Sequence, residues 1–268
     1  MIDNHVHTTY SVDSTAKPLE LIEKAKDVGL SGICFTDHWD VGYDSINEEK
    51  IIPYEYSRCD LQKLRHEGDF EGDFKVFCGI EIAPMAHVAD RVKSEMSDTD
   101  FDFILLSAHY VDDVPQVRYD SYFIDRNKKD VYDRYLATLI SLIGWYDDYD
   151  ALGHFDYISR YSPYPDPLMC YDDHKDLFDE LFVELIKKNK ALEINTGKHR
   201  IRKGHLPIDI RIMQKYRELG GELICLGSDA HASYGVGYLF YEFREILYEC
   251  GFKSLVHYNK RKPVFTKI

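Results

Sequence analysis

The most informative part of the sequence is the stretch Asp3-Asn4-His5-Val6-His7, close to its beginning. Alternate side chains of a strand point to the same side, so His5 and His7 at a strand end face one point. Two neutral imidazoles that converge in this way suit a first-row divalent metal ion. A lone His-x-His motif also arises by chance in a sequence with 12 histidines, so the remaining motifs have to decide between the two interpretations.

Polar motifs follow short apolar runs along the whole chain. They are Thr36-Asp37-His38, Gly79-Ile80-Glu81, Ser107-Ala108-His109, Gly153-His154-Phe155-Asp156 and Ser228-Asp229-Ala230-His231. Each of His38, His109 and His154, taken singly, could equally be an ordinary polar residue at a strand end. Together the motifs predict a metal site assembled from the ends of several strands.

Candidate strands alternate with amphipathic helix patterns. We expect the strands at residues 1–6, 32–36, 75–82, 101–107, 151–154, 191–195 and 223–227, and helices near 18–28, 177–186 and 208–219. Parallel strands of this kind form an open sheet or a closed barrel, and only the barrel brings six ligand-bearing strand ends together. The expected fold is therefore an α/β barrel in one domain, residues 1–268, with long loops at 39–74, 83–100, 110–130 and 155–171 around the pocket.

Bulk composition excludes several classes of protein. A net charge of −14 repels the phosphate backbone, so we expect no nucleic-acid partner. No basic segment followed by an apolar stretch opens the sequence, and no run approaches 18 apolar residues, so we expect neither export nor a membrane partner. Six cysteines without a C-x-x-C pair favour reduced thiols and a cytoplasmic location. The oligomeric state stays open.

The order of the motifs, from Asp3 to His231, resembles the polymerase-and-histidinol-phosphatase (PHP) family of metal-dependent phosphoesterases. The resemblance implies a distorted (β/α)7 barrel with two or three divalent ions, for which Zn, Mn and Fe all fit nitrogen and oxygen ligands. It assigns the first ion to His5, His7, Glu81 and Asp229, the second to bridging Glu81 with His109 and His154, and the third to Asp13, His38 and His231. Some family members have histidine where Asp13 stands, and Asp13 could instead belong to a helix-entry turn.

The resemblance also implies a substrate. The Asp-Asn-His-Val-His-Thr start and the segments at 153–161 and 193–200 are similar to family members that hydrolyse L-histidinol phosphate to L-histidinol and phosphate in histidine biosynthesis, through a hydroxide that bridges two metal ions. Arg160 and Arg200 would bind the phosphate dianion, because guanidinium groups match its oxygens. A surface ion pair is the alternative for each arginine.

Other site residues are predicted by their proximity to the motifs. Asp156, His199 and His205 are candidates for the general acid, and Trp39, Asp40 and Tyr43 for contacts with the substrate amine. Asp3 and Asp37 are expected to hydrogen-bond ligand imidazoles. The histidines outside the motifs are expected at the surface: His66, His87, His174 and His257.

Three competing functions remain at this point. A PHP phosphoesterase or exonuclease acting on another phosphate ester or nucleotide would share the same ligands. An amidohydrolase would share the barrel and the His-x-His motif, but it usually carries a bridging lysine on a strand, which we cannot locate. A non-catalytic metal-binding module would not explain open coordination positions, because the expected ligands are too few to fill three ions.

Overall fold

The computed structural model describes residues 1–42, 73–96, 100–111, 114–115, 122–197 and 208–268. Five residues named above lie outside the described residues: Tyr43, His66, His199, Arg200 and His205.

The described strands are β1 (Ile2–Val6), β2 (Gly32–Phe35), β3 (His38–Val41), β4 (Lys75–Pro84), β5 (Phe103–Leu106), β6 (Tyr110–Val111), β7 (Val114–Pro115), β8 (Ala151–Leu152), β9 (Ala191–Asn195), β10 (Ile224–Gly227), β11 (Ser254–Asn259) and β12 (Lys262–Lys267). The described α-helices are α1 (Pro18–Asp27), α2 (Ala89–Met96), α3 (Lys128–Trp145), α4 (Lys175–Lys187), α5 (Ile210–Glu218) and α6 (Phe240–Glu249).

Seven parallel strands form a nearly closed barrel in the order β1-β2-β4-β5-β8-β9-β10. The seam between β10 and β1 is bridged by backbone hydrogen bonds: Asp229 N–H donates to the His5 carbonyl at 2.7 Å, and His7 N–H donates to the Ala230 carbonyl at 2.9 Å. Strand β3 adds to the C-terminal half of β4, outside this path. The expected seven-stranded α/β barrel is confirmed.

Local sequence explains the helices that surround the barrel. Helix α1 begins at Pro18, where the missing N–H is not needed, and it buries Leu21, Ile22 and Ala25 against the sheet. Helix α3 begins after Asn127, whose side chain accepts a hydrogen bond from the Asp130 N–H at 2.9 Å.

Apolar side chains fill the end of the barrel where its strands begin. A compact cluster contains Ile2, Cys34, Phe77, Phe103, Leu105, Ala151, Ala191, Cys225, Val256 and Tyr258. The last two come from β11, so the β11–β12 hairpin covers this end. Cys34, Cys78 and Cys225 are buried as well, each within a strand of the barrel. Because this end is apolar and covered, the chemistry is confined to the opposite end.

The structure differs from the sequence-based expectation in several elements. Strand β3, helices α2, α3 and α6 and the β11–β12 hairpin were not predicted, and α2 lies inside the expected loop 83–100. His174 and His257 are buried, with 2% and 7% of their surface exposed, so their predicted surface position is wrong. Among the described residues, no helix is long and apolar enough to cross a membrane.

Candidate metal centre

The nine predicted ligands converge at the C-terminal end of the barrel. His5 lies in β1, Glu81 in β4 and His38 at the start of β3. The remaining ligands follow the ends of strands: His7 after β1, His109 after β5, His154 after β8, and Asp229 and His231 after β10. Asp13 comes from the segment between β1 and α1. Eight of the nine are buried or partly buried, and Asp13 is exposed.

Glu81 is the centre of this cluster. Its Oε2 lies 3.4 Å from His5 Nε2, 3.5 Å from His7 Nε2 and 2.7 Å from His38 Nδ1. Its Oε1 lies 2.7 Å from His154 Nε2 and 3.4 Å from His109 Nε2. The two oxygens of one carboxylate therefore face two different groups of imidazoles, which is the arrangement that a bridging ligand requires.

The first group consists of His5, His7, Glu81 and Asp229. The Nε2 atoms of His5 and His7 are 2.9 Å apart, and Asp229 Oδ1 lies 3.6 Å and 3.3 Å from them. Ligand bonds of about 2.0–2.1 Å in a tetrahedron place donor atoms roughly 3.3 Å apart. The separations of 2.9–3.6 Å found here fit one divalent ion.

Two further groups adjoin the first. The Nε2 atoms of His109 and His154 are 3.4 Å apart beside Glu81 Oε1. Asp13 Oδ1 lies 3.3 Å from His231 Nε2 and 3.6 Å from His38 Nε2. His38 turns Nδ1 toward Glu81 and Nε2 toward Asp13, so one imidazole separates the first group from the third.

The cluster controls the protonation of its carboxylates. Burial alone would raise the pKa of Glu81, but the imidazoles of His5, His38 and His109 hold that pKa well below its usual value. Burial likewise opposes the charge of Asp229, and Arg160 with His5 overcomes it, so this pKa is also well below its usual value. Both side chains are therefore carboxylates, the form in which they can bind a cation.

Hydrogen bonds to Nδ1 orient two of the imidazoles. The Ser11 hydroxyl donates its one proton to Asp37 Oδ1 at 2.7 Å, so at 3.0 Å it can only accept from His7 Nδ1–H. Asp40 Oδ1 lies 2.9 Å from His109 Nδ1. Each bond leaves the Nε2 lone pair directed into the cluster.

The expectation for Asp3 is wrong and that for Asp37 is only indirectly met. Asp3 accepts backbone N–H groups from Ser228 and Gly237 at 2.9 Å and 3.0 Å, which secures the seam of the barrel instead of orienting an imidazole. Asp37 acts on His7 through Ser11.

A cleft of about 890 Å³ opens beside the cluster. Its lining includes Asp13, Thr15, Arg160, Tyr161, Asp229, His231 and Tyr234. The Arg160 Nη2 donates to Asp229 Oδ2, and the guanidinium lies 4.9 Å from the centre of the Tyr157 ring. The Arg160 Nε is buried without a hydrogen-bond partner. Because Arg160 lines the cleft, a cationic side chain lies where an anionic substrate group can enter.

The other predicted substrate residues fare differently. Trp39 is 3% exposed and packs in the main hydrophobic core, so the structure contradicts its predicted place in the pocket wall. Alternation along β3 explains this, because His38 and Asp40 face the cluster and Trp39 points to the opposite side. Asp156 follows His154 by two residues and is buried, 3% exposed. Of the expected loops, 155–171 contributes to the described lining, through Arg160 and Tyr161.

Three polar residues near the centre were missed in the sequence: Glu193, Asn195 and Ser11. Glu193 Oε1 lies 2.6 Å from His5 Nδ1, and Asn195 Nδ2 donates to Asp229 Oδ2 at 3.3 Å. For Glu193 and Asn195 the sequence did contain a signal, namely their spacing. They are two residues apart in β9, an otherwise apolar strand, and therefore share one face of it.

An α/β barrel that gathers imidazoles and carboxylates at its strand ends defines this chain as a barrel protein with a candidate metal centre. The PHP domain model matches residues 3–197. Because this match covers more than half of the sequence, the chain belongs to the PHP family.

Similar proteins carry one recurrent name. The chain is 25% identical to a histidinol-phosphatase of Lactococcus lactis, over 97% of this chain and 95% of that protein. It is 28% identical to a Clostridium acetobutylicum protein named "Probable histidinol-phosphatase", over 97% and 98% of the two chains. A crystal structure of histidinol phosphate phosphatase from Lactococcus lactis, in complex with zinc, L-histidinol and phosphate, superimposes with a TM-score of 0.85, covering 98% of each chain at 25% identity.

Proposed function

We propose that this protein is a metal-dependent phosphomonoesterase that hydrolyses L-histidinol phosphate to L-histidinol and phosphate. The observation that carries the proposal is Glu81, whose two oxygens face separate groups of imidazoles beside a cleft with an arginine. Relatives with the histidinol-phosphatase name that span nearly the whole chain support the choice of substrate. The proposal includes a cytoplasmic location and a single barrel domain of residues 1–268.

The residues of the cluster fit divalent ions. Glu81 Oε2 is buried without a hydrogen-bond partner, although imidazole nitrogens surround it. An uncompensated buried carboxylate oxygen is costly, and a cation shared with those nitrogens removes the cost. We assign His5, His7, Glu81 and Asp229 to one ion, Glu81, His109 and His154 to a second, and Asp13, His38 and His231 to a third. Zn, Mn and Fe suit these donors, and zinc is present in the Lactococcus lactis complex.

The reaction divides between these ions and the side chains of the cleft. Bound divalent ions supply Lewis acidity, which activates water and neutralises charge on the phosphoryl oxygens. Arg160 binds the phosphate through the donors that Asp229 does not use, and Arg200 is proposed as a second phosphate ligand. Asp156 is proposed to protonate the leaving alkoxide, and Tyr43 to contact the amino-alcohol part.

A substrate panel with the Zn²⁺- or Mn²⁺-loaded protein tests this function. We expect kcat/KM for L-histidinol phosphate to exceed that for p-nitrophenyl phosphate or glucose 6-phosphate by more than about tenfold, with negligible cleavage of an oligonucleotide. Glu81→Gln should abolish the activity and lower the bound metal, since one anion serves two cations. Comparable rates for oligonucleotides would instead favour a PHP exonuclease, and full activity of Glu81→Gln with unchanged metal content would exclude the bridging role.

A further inference from the structure

We infer that Glu193 is a positioning residue. It sets the tautomer of His5 and fixes the position of this imidazole within the first group of ligands, which consists of His5, His7, Glu81 and Asp229. This inference rests on the proposed metal centre. Glu193 lies in β9, its side chain is 1% exposed, and its Oε1 is 2.6 Å from His5 Nδ1. A carboxylate can only accept hydrogen bonds, so His5 Nδ1 carries a proton and Nε2 keeps its lone pair for the cluster.

The second oxygen of Glu193 is also occupied. Its Oε2 accepts the backbone N–H of His154 at 2.7 Å. One carboxylate therefore joins the end of β1 to the segment that follows β8, and both of the joined residues, His5 and His154, belong to the candidate ligand set. The two contacts fix a ligand from the first group relative to a ligand from the second.

The neighbouring strand is built around this side chain. A Cβ atom at Gly227 would lie 2.1 Å from Glu193 Oε1 and 2.5 Å from the Cβ of His5. Both distances are shorter than real contacts allow, so β10 needs a glycine beside the Glu193–His5 pair. The absence of a side chain at Gly227 in β10 thus leaves the space that the Glu193 carboxylate occupies.

Only a carboxylate satisfies both partners. In Glu193→Gln, an amide oxygen that accepts from His154 N–H would turn the NH₂ group toward His5 Nδ1. His5 would then have to accept at Nδ1 and carry its proton on Nε2, which removes the lone pair from the cluster. The opposite amide orientation would place two donors, NH₂ and the His154 N–H, against each other.

The test compares Glu193→Gln with a matched control, Asp102→Asn. Asp102 is also fully buried and accepts two backbone N–H groups, from Cys78 and Lys260 at 3.0 Å each, but it lies beside the β11–β12 hairpin at the opposite end of the barrel. Zn²⁺ affinity is measured by competition with a chromophoric chelator, folding by thermal unfolding of the metal-free proteins, and the protonation of the His5 nitrogens by ¹⁵N NMR of the zinc-loaded, histidine-labelled chain.

We expect Glu193→Gln to bind the most tightly held Zn²⁺ ion with about 10- to 100-fold lower affinity than the wild-type protein. The same variant should have a lower kcat and altered His5 ¹⁵N signals. Asp102→Asn should keep the Zn²⁺ affinity of the wild-type protein. Wild-type affinity and unchanged His5 signals in a folded Glu193→Gln would overturn the inference while leaving the proposed function intact. Equal losses of affinity in both variants would reduce Glu193 to a purely structural residue. Absence of Zn²⁺ binding by the wild-type protein would overturn the proposed metal centre, and the inference with it.

Discussion

Asp229 divides its two oxygens between two kinds of partner. Oδ1 faces the imidazoles of His5 and His7, whereas Oδ2 accepts from Arg160 and Asn195. The sequence offered Arg160 as a phosphate ligand or as a surface ion-pair partner. The structure places it in an ion pair that is mostly buried, with 15% of the arginine side chain and 2% of the aspartate side chain exposed. Because Oδ1 points away from the arginine, pairing with Arg160 and binding of a metal ion are compatible.

Arg160→Ala should therefore affect both catalysis and the metal-free fold. We expect kcat/KM for L-histidinol phosphate to fall by more than about tenfold, since a charge-assisted hydrogen bond contributes roughly 1.5–3 kcal/mol. Without metal, loss of the guanidinium partner of the buried Asp229 should lower the free energy of unfolding by about 3 kcal/mol. A bound cation would compensate for much of that loss.

Thermal unfolding of wild-type protein and Arg160→Ala, each with Zn²⁺ and with a chelator, measures this difference. A large loss of stability that persists unchanged in the Zn²⁺-loaded variant would make Arg160 a structural residue alone. Arg160→Lys serves as the control, because it keeps the positive charge and loses the planar donor geometry.

Among the secondary-structure elements, the β11–β12 hairpin has a structural role, at the end of the barrel opposite the cluster. Its turn residues Lys260 and Arg261 have positive φ angles of 50° and 63°, as a tight two-residue turn requires. Arg261 donates to Asp150 Oδ2 at 2.5 Å and to Asp148 Oδ1 at 2.9 Å. The turn is thereby attached to the loop that leads into β8, and the hairpin closes the apolar end of the barrel.

Replacing Arg261 with alanine should destabilise the protein without affecting the reaction. Asp150 is 7% exposed and would lose a charged partner, while the 30% exposure of the Arg261 side chain reduces the cost, so we expect a loss of about 2 kcal/mol in the free energy of unfolding. Urea denaturation measures the loss, and kcat/KM should stay within about twofold of wild type. Lys262→Ala, at an exposed position of the same hairpin, should change stability by less than about 0.5 kcal/mol.

At the scale of the whole molecule, the sequence predicted the seven barrel strands and the residues that meet at their ends. Both signals are local: a strand is an apolar run, and a candidate ligand is a polar residue just after it. Ala191–Asn195 was predicted with its observed bounds, and the other six barrel strands within two residues at each end. The single-domain prediction and the roles of the individual ligands remain predictions.

The residues that were missed depend on contacts between distant parts of the chain. Glu193 acquires its role only because β9 lies near β1 in the closed barrel, 188 residues away in sequence from His5. The cover formed by β11 and β12 was missed for the same reason, since its apolar side faces strand beginnings spread over the whole sequence. Trp39 was misplaced because the sequence did not reveal that β3 is a strand.

His257, which lies on β11, links the stability of the whole molecule to pH. Burial, with Lys75 and the N-terminal ammonium nearby, lowers its pKa from 6.5 to about 4, and its ring lies 5.4 Å from that of Phe77. Below pH 6.5 His257 becomes protonated in the unfolded chain, whereas in the folded chain it stays neutral until the pH approaches 4. The stabilising effect of a neutral His257 is therefore complete above pH 6.5 and is lost as the pH falls from 6.5 to 4.

Substitution of His257 by glutamine should flatten the acid side of the stability profile. We expect the free energy of unfolding of the wild-type protein to fall by about 2–3 kcal/mol more than that of His257→Gln between pH 6.5 and pH 4. The other titratable groups are the same in both proteins, so the difference between the two urea-denaturation profiles isolates the contribution of His257. Parallel profiles would mean that His257 takes up its proton equally well in the folded and unfolded chains.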